Sequence, residues 1–280
     1  MNAAAKLYEL THTYVVGKRA VSEDLVVVGR DLYAVVDGVP DKHGHSYSSS
    51  WSGARVTSGR FAAEVVGRAL TQSQGQGVRA VVDFVTEKLC DAVEAQYLDL
   101  PKAALPGASF MAFIPSTGLL FGVGDCKAAW VAEEGVGSVH SRKEVDVVAA
   151  SYRAAVIAAN KWDGVGEDVR RRAILSLLET QANLANELGA WGYGLVNGTF
   201  VPDAYVFERT IAPARLVLAT DGYPELHVDG VLGHAEAESR LEELKRADPL
   251  CVRELMGTKG LESGFSEFDD RAWLEIARRV

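Results

Sequence analysis

Apolar residues fall into short runs along this chain, and their spacing changes from one stretch to the next. Runs rich in Val, Leu, Phe and Tyr at 25–28, 32–36, 109–114, 119–123 and 128–131 are separated by short turns, the texture of neighbouring antiparallel strands. Between the second and third runs, "WSGARVTSGRFAAEVVGRAL" and "VRAVVDFVTEKLCDAVEAQYL" place apolar residues at helical spacing, divided by the Gln/Gly-rich "TQSQGQG". A helical hairpin inserted between strands is therefore predicted, with Ser52 in the polar "SYSSSWSGA" placed to cap its first helix. A longer helix is predicted over 166–188, and in the following "WGYGLVNGTFVPDAYVFERTI" Asn197-Gly198 reads as a hairpin turn between two strands. "RLVLAT" at 215–220 reads as a strand, helical segments follow around 236–257, and a last strand covers 272–277. With no repeat period and no Pro-rich linker, the pattern predicts one α+β domain over 1–280 with antiparallel sheets.

Composition narrows the class. Close to half of the 280 residues are apolar, enough for a sizeable core. Acids outnumber bases by 38 to 29, and no Lys/Arg-rich cluster is present to follow a phosphate backbone, which argues against nucleic acid as the main partner. Cys90, Cys126 and Cys251 are too scattered for a zinc site or a disulfide framework and fit reduced thiols in a cytoplasm. The N-terminal stretch lacks the pattern of an export signal, and apolar runs such as "AAVIAA" at 154–159 are too short to span a bilayer. A cytoplasmic protein, neither exported nor membrane-bound, is expected.

The chemistry lies where strands end. "LYAVVDG" at 32–38 and "LVLATDG" at 216–222 both run an apolar strand into Asp-Gly, and acid pairs flank strands in "SEDLVVV" at 22–28 and "FDDRAWLEI" at 268–276. One Asp-Gly alone is an ordinary turn. If the strand ends converge, however, Asp24, Asp37, Asp221 and Asp269 form a crowd of like charges that cannot all stay ionised unaided. Hard divalent cations with oxygen ligands relieve such crowding, and a carboxylate bridging two of them prepares a metal-activated water for attack on a phosphoryl group.

The order of these motifs, Glu23-Asp24, "LYAVVDG", "GVGDCKAAWV", "LVLATDGYPEL" and "DDRAWLEI", resembles the type 2C metal-dependent serine/threonine protein phosphatases, the PPM family, over nearly the whole chain. The likeness is to a divergent member of bacterial type. It implies a β-sandwich of two antiparallel sheets flanked by helical layers, with two Mn²⁺ or Mg²⁺ ions in a cleft at one end and a phosphorylated protein as substrate. By the same resemblance Asp37 is the bridging carboxylate and Gly38 lends its carbonyl. Asp221 and Asp269 hold one ion, and Asp24, helped by Glu23, faces the other through water. Asp125 in "GDCKA" matches an acid of a third, weaker metal site, and Arg19 stands where some members grip the substrate phosphate with a guanidinium.

Each of these has a plainer reading: Asp125 as a hairpin-turn residue, Arg19 as half of a surface pair with Lys18. Where some members carry a histidine after Asp-Gly as general acid, this chain has Val39, with His43 and His45 in the polar loop beyond. Segment 141–191 does not match the family's pattern. The alternatives to a protein phosphatase are a non-catalytic phosphoprotein-binding module on the same fold and a phosphatase of small metabolites.

Overall fold

The computed structural model describes residues 7–73, 75–97, 99–162, 169–253 and 255–279. Its elements run β1 (Tyr8–Val16), β2 (Leu25–Val28), β3 (Tyr33–Val39), β4 (Ser46–Ser48), β5 (Arg55–Thr57), α1 (Ser58–Gln72), α2 (Val78–Glu94), β6 (Gly107–Ile114), β7 (Leu119–Val123), β8 (Lys127–Ala132) and β9 (Gly135–His140). They continue with α3 (Glu144–Ala159), α4 (Val169–Arg172), α5 (Leu175–Thr180), β10 (Val206–Thr210), β11 (Arg215–Ala219), α6 (His234–Ala247) and β12 (Arg271–Arg278). Two five-stranded antiparallel sheets form, ordered β1-β12-β11-β8-β9 and β10-β7-β6-β3-β2, beside a small β4-β5 ribbon.

Strand alternation builds the layers. Val35, Met111 and Phe113 of one sheet meet Ala128, Leu216, Leu218, Leu274 and Ile276 of the other, filling the space between sheets. The alternate residues Ala34, Val36, Phe110 and Ala112 face the other way, onto Phe61, Val66, Val82 and Leu89 of the α1–α2 hairpin. On the far face Val217, Ala219 and Trp273 pack against Leu226, Leu232 and Ala237, the last of these from α6. The fully buried Arg271 fastens that helix to β12, its guanidinium bonded to both oxygens of Glu238 (3.0 and 2.7 Å) and also reaching Glu267. The α+β sandwich with flanking helices is thus the observed architecture.

Several local expectations are corrected. The continuous helix over 166–188 is replaced by the short α4 and α5 and a 3₁₀ turn at Gln181–Leu184, with 163–168 outside the described residues. Ile174 and Leu178 pack on Ala149 of α3, whereas Leu184 packs on a separate cluster around Val145 and Tyr193, so two docking points set the path of the chain. The helix α3 itself, carrying apolar residues on most of its circumference, and the edge strand β1 were not signalled by periodicity. Asn197-Gly198 does turn, with Asn197 Oδ1 accepting from Thr199 N at 3.2 Å, but only a single bridge, Ala108 to Val196, flanks it where a hairpin strand was expected.

The cap of α1 is Thr57, whose hydroxyl accepts from Arg60 N at 3.3 Å. Ser52 lies five residues too early, before the β5 strand. Thr57→Ala should therefore lower stability by about 1 kcal/mol in urea unfolding. Ser52→Ala should change it by no more than about 0.5 kcal/mol.

Candidate metal centre

Asp37 continues the inward parity of Val35, so its half-buried carboxylate stands at the end of the inter-sheet layer. Directly across the ladder stands Ser109. Its hydroxyl lies 2.8 Å from Asp125 Oδ1 and 3.3 Å from Asp37 Oδ2, and its single proton serves one of the two at a time. Asp125 does not sit in a hairpin. β7 and β8 belong to different sheets, and Asp125 rides the short crossing between them. Gly124 makes that crossing possible, with φ +89° and no room for a Cβ against Ser109.

The second Asp-Gly stands at the end of β11. Lys127, buried at the start of β8, donates to the carbonyls of Tyr223 and Pro224 and so holds the turn that presents Asp221. In both motifs the glycine is needed for close approach. A Cβ on Gly38 would overlap the Gly59 carbonyl at the start of α1, and one on Gly222 would overlap the carbonyl of Asp270. Each glycine lets a second backbone press against the acid-bearing turn, and this brings the acids together.

Asp37, Asp125 and Asp221 offer carboxylate oxygens all within 4.8 Å of one another. Asp24, 1% exposed, lies beneath them beside Thr220, and its Oδ2 is buried with no hydrogen-bond partner. Asp269 joins from the loop before β12, and its neighbour Asp270 accepts from the amides of Lys18 (2.5 Å) and Glu23 (2.6 Å), fixing the turn that carries Asp24. Burial and the charge of Asp37 hold Asp24 well above the usual carboxylate range. Burial, then Asp221 and Asp125, do the same to Asp37. Desolvation and the charges of Asp125 and Asp269 push Asp221 up to about 8. Cys126, fully buried, has its thiol raised by burial and by the same acids, which suits packing and not nucleophilic attack.

Among the described residues, two ammonium groups are ion-paired with acids of this crowd. Lys143 Nζ lies 2.7 Å from Asp125 Oδ2, and Lys259 Nζ is ion-paired with Asp269 Oδ1. Burial, with Arg171 and Lys259 nearby, brings Lys42 down to about 8. Arg19 is exposed, in the turn that Asp270 fixes. His45 turns to Asp41, its Nδ1 3.1 Å from Oδ1, and the His43 amide donates to the same oxygen at 2.8 Å, so this loop is tied to itself. Of the aromatic "WGYG" segment, Tyr193 is buried against Val145 and Leu195. Sequence reasoning missed Ser109, Lys127, Lys143, Lys259 and Asp270. Only Asp270, by adjacency to Asp269, and Lys127, by its place in "GDCKA", carried any signal.

The donors suit hard divalent cations: oxygen ligands only, more carboxylates than ammonium groups to balance them, and a buried carboxylate oxygen left without a partner.

No family model and no curated protein matches the sequence. Solved structures do. The Mycobacterium tuberculosis serine/threonine phosphatase PstP aligns over 98% of this chain and 99% of that chain at 15% identity, TM-score 0.52. A PstP catalytic domain in complex with two manganese ions aligns over 96% and 97% at 16% identity, TM-score 0.51. Stp1 from Staphylococcus aureus covers 97% and 96% at 13% identity, TM-score 0.50. The chain has the fold of the PPM serine/threonine phosphatases.

The raised acids give a test in chelator-treated protein. A carboxyl whose folded pKa lies above its unfolded value, about 3.9 for Asp, binds more protons in the native state, so its contribution to stability falls as pH rises towards the folded pKa. Asp24→Asn removes that penalty. The variant should be more stable than wild type without metal, with a margin that widens as the pH rises above about 4, the unfolded value, towards the raised folded one. A constant or negative margin in parallel urea titrations would show that Asp24 is not under this strain.

Proposed function

We propose that this protein is a metal-dependent phosphomonoester hydrolase acting on phosphoserine and phosphothreonine in proteins. The observation that carries the reading is the convergence of Asp37, Asp125 and Asp221 within 4.8 Å, at one end of a sandwich whose structural neighbours are serine/threonine phosphatases. Two Mn²⁺ or Mg²⁺ ions would be held by Asp37 as the shared carboxylate, the Gly38 carbonyl, Asp221 and Asp269, with Asp24 facing one of them through water. Such ions lower the pKa of a water and offset charge on the phosphoryl oxygens.

The protein's own groups prepare the site. The backbone ladder of β3 with β6 fixes the direction of the Asp37 carboxylate, and Ser109, across that ladder, holds Asp125 beside it. Lys127 sets the height of Asp221 through the turn carbonyls, and Asp270 anchors the segment carrying both Arg19 and Asp24. Arg19 meets the substrate phosphate from its exposed turn, where a guanidinium fork matches two phosphate oxygens. Val39 follows Gly38, and His45 is engaged by Asp41.

A second reading, a phosphoprotein-binding module without turnover, draws on the ion pairs Lys143–Asp125 and Lys259–Asp269, which already neutralise two of the acids. Hydrolysis of an aryl phosphate and of a phosphopeptide panel, with Mn²⁺ and in EDTA, separates these readings. Activity is expected only with the ion, and faster on phosphopeptides than on small metabolite esters. Asp37→Asn and Asp221→Asn should each lower kcat/KM by at least the roughly 10- to 100-fold typical of groups one layer further from a metal. Mn²⁺ binding with no turnover on any substrate would favour the binding module.

Arg19→Ala should mainly raise KM, leaving the Mn²⁺ requirement unchanged, because uniform binding of substrate and transition state is what it removes. A wild-type KM on several phosphopeptides would return Arg19 to the surface.

A further inference from the structure

Asp125 is one of the acids close enough to share a cation, yet both of its oxygens are already engaged: Oδ1 by the Ser109 hydroxyl at 2.8 Å, Oδ2 by Lys143 Nζ at 2.7 Å. The ion pair is nearly closed to solvent, with side-chain exposures of 11% for Lys143 and 12% for Asp125. The ammonium also lies over the Tyr193 ring, 5.2 Å from its centroid.

The fold delivers this cation deliberately. Lys143 is the residue before α3, and the first turns of that helix are docked by Val145 against Ala185, Tyr193 and Leu195, and by Ala149 against Ile174 and Leu178. Further along α3, the buried Arg153 donates from Nη1 to the carbonyls of Leu250 (2.8 Å) and Gly257 (3.2 Å). That contact ties α3 to the 249–261 loop, which carries Lys259 onto Asp269. Two segments far apart in sequence are thus linked to each other, and each places one ammonium on one acid of the same centre.

We propose that Lys143 and Lys259 are resident cations of this centre, supplying to Asp125 and Asp269 positive charge that a divalent ion would otherwise supply. The inference rests on the metal-site reading above. A tethered ammonium stays beside its carboxylate whatever the free metal concentration, and a divalent ion approaching that acid must displace it or accept its repulsion. Lys143 is the more enclosed of the two, and Lys259, with 25% of its side chain and 32% of that of Asp269 exposed, is the one that yields more readily. The affinity of the centre for divalent ions is therefore set by how firmly α3 and the 249–261 loop hold their lysines in place.

Calorimetric Mn²⁺ titration of chelator-stripped wild type, Lys143→Met and Lys259→Met, paired with melts of the same metal-free proteins, tests this. Each Met variant should bind Mn²⁺ at least about tenfold more tightly than wild type, a step equivalent to about 1.4 kcal/mol. Each should also melt at a lower temperature when metal-free, since an acid has lost its counter-ion. Lys143→Arg, which keeps a positive charge beside Asp125, should not show this tightening. A purely structural role would lower melting temperature and weaken Mn²⁺ binding together. Unchanged or weaker binding by the Met variants, while wild type binds Mn²⁺, overturns the inference and leaves the metal reading standing. No Mn²⁺ binding by any of the proteins removes both. Should Lys143→Met not fold, Lys259→Met, on its separate loop, decides alone.

Discussion

Carboxylates from separate strand ends are pressed together at one end of a hydrophobic sandwich, and the rest of the structure is arranged around that crowding. Asp24 is buried, Asp37 half-buried and Asp221 at the exposed mouth, and the neighbouring acids penalise each charge, so all three hold their protons more tightly than free carboxyls do. Fully ionised and without counter-charge, the acids of this arrangement would repel one another. The arrangement persists because the surrounding backbone is packed closely through Gly38, Gly124 and Gly222, and because Ser109, Lys143 and Lys259 meet part of the charge.

The stability that tolerates such a site comes from elsewhere. Val35, Phe113, Leu218, Leu274 and their neighbours form an apolar layer between the sheets, and the acids stand at its end. On the outer face Arg271, two residues after Asp269, is locked by Glu238 and Glu267, so the segment that brings the acid is anchored by a satisfied ion network. Strain concentrated at one end of a well-packed scaffold is the usual economy of a functional site. The compensating cations lie outside that scaffold, one just before α3 and one on the loop that Arg153 of α3 ties down. Charge balance at the centre and the position of these peripheral segments are consequently one problem.

The same division explains what could be read early. Strands β2, β3, β6, β7, β8, β11 and β12 announced themselves because each alternates or runs apolar between turn residues, and α1 and α2 because their apolar positions keep helical spacing. Where local pattern and tertiary demand diverged, the reading failed. β1 is an edge strand with polar and apolar residues both exposed, α3 is apolar on most sides, and the chain over 169–184 follows two docking points on and beside α3 instead of one helical stripe.

The sequence by itself determined the recurring strand-to-acid punctuation, Asp24, Asp37, Asp221 and Asp269 each beside a β-strand, because an ionisable group interrupting an apolar run is a local feature that needs no knowledge of the fold. Only the tertiary structure decided which groups answer those charges. Lys143 lies 18 residues after Asp125 and Lys259 ten before Asp269, in segments whose composition resembles any solvated surface. Electrostatic partnership depends on distance in space, and the sheet crossing at Gly124, the docking of α3 and the Arg153 tie set those distances through contacts that no spacing along the chain encodes.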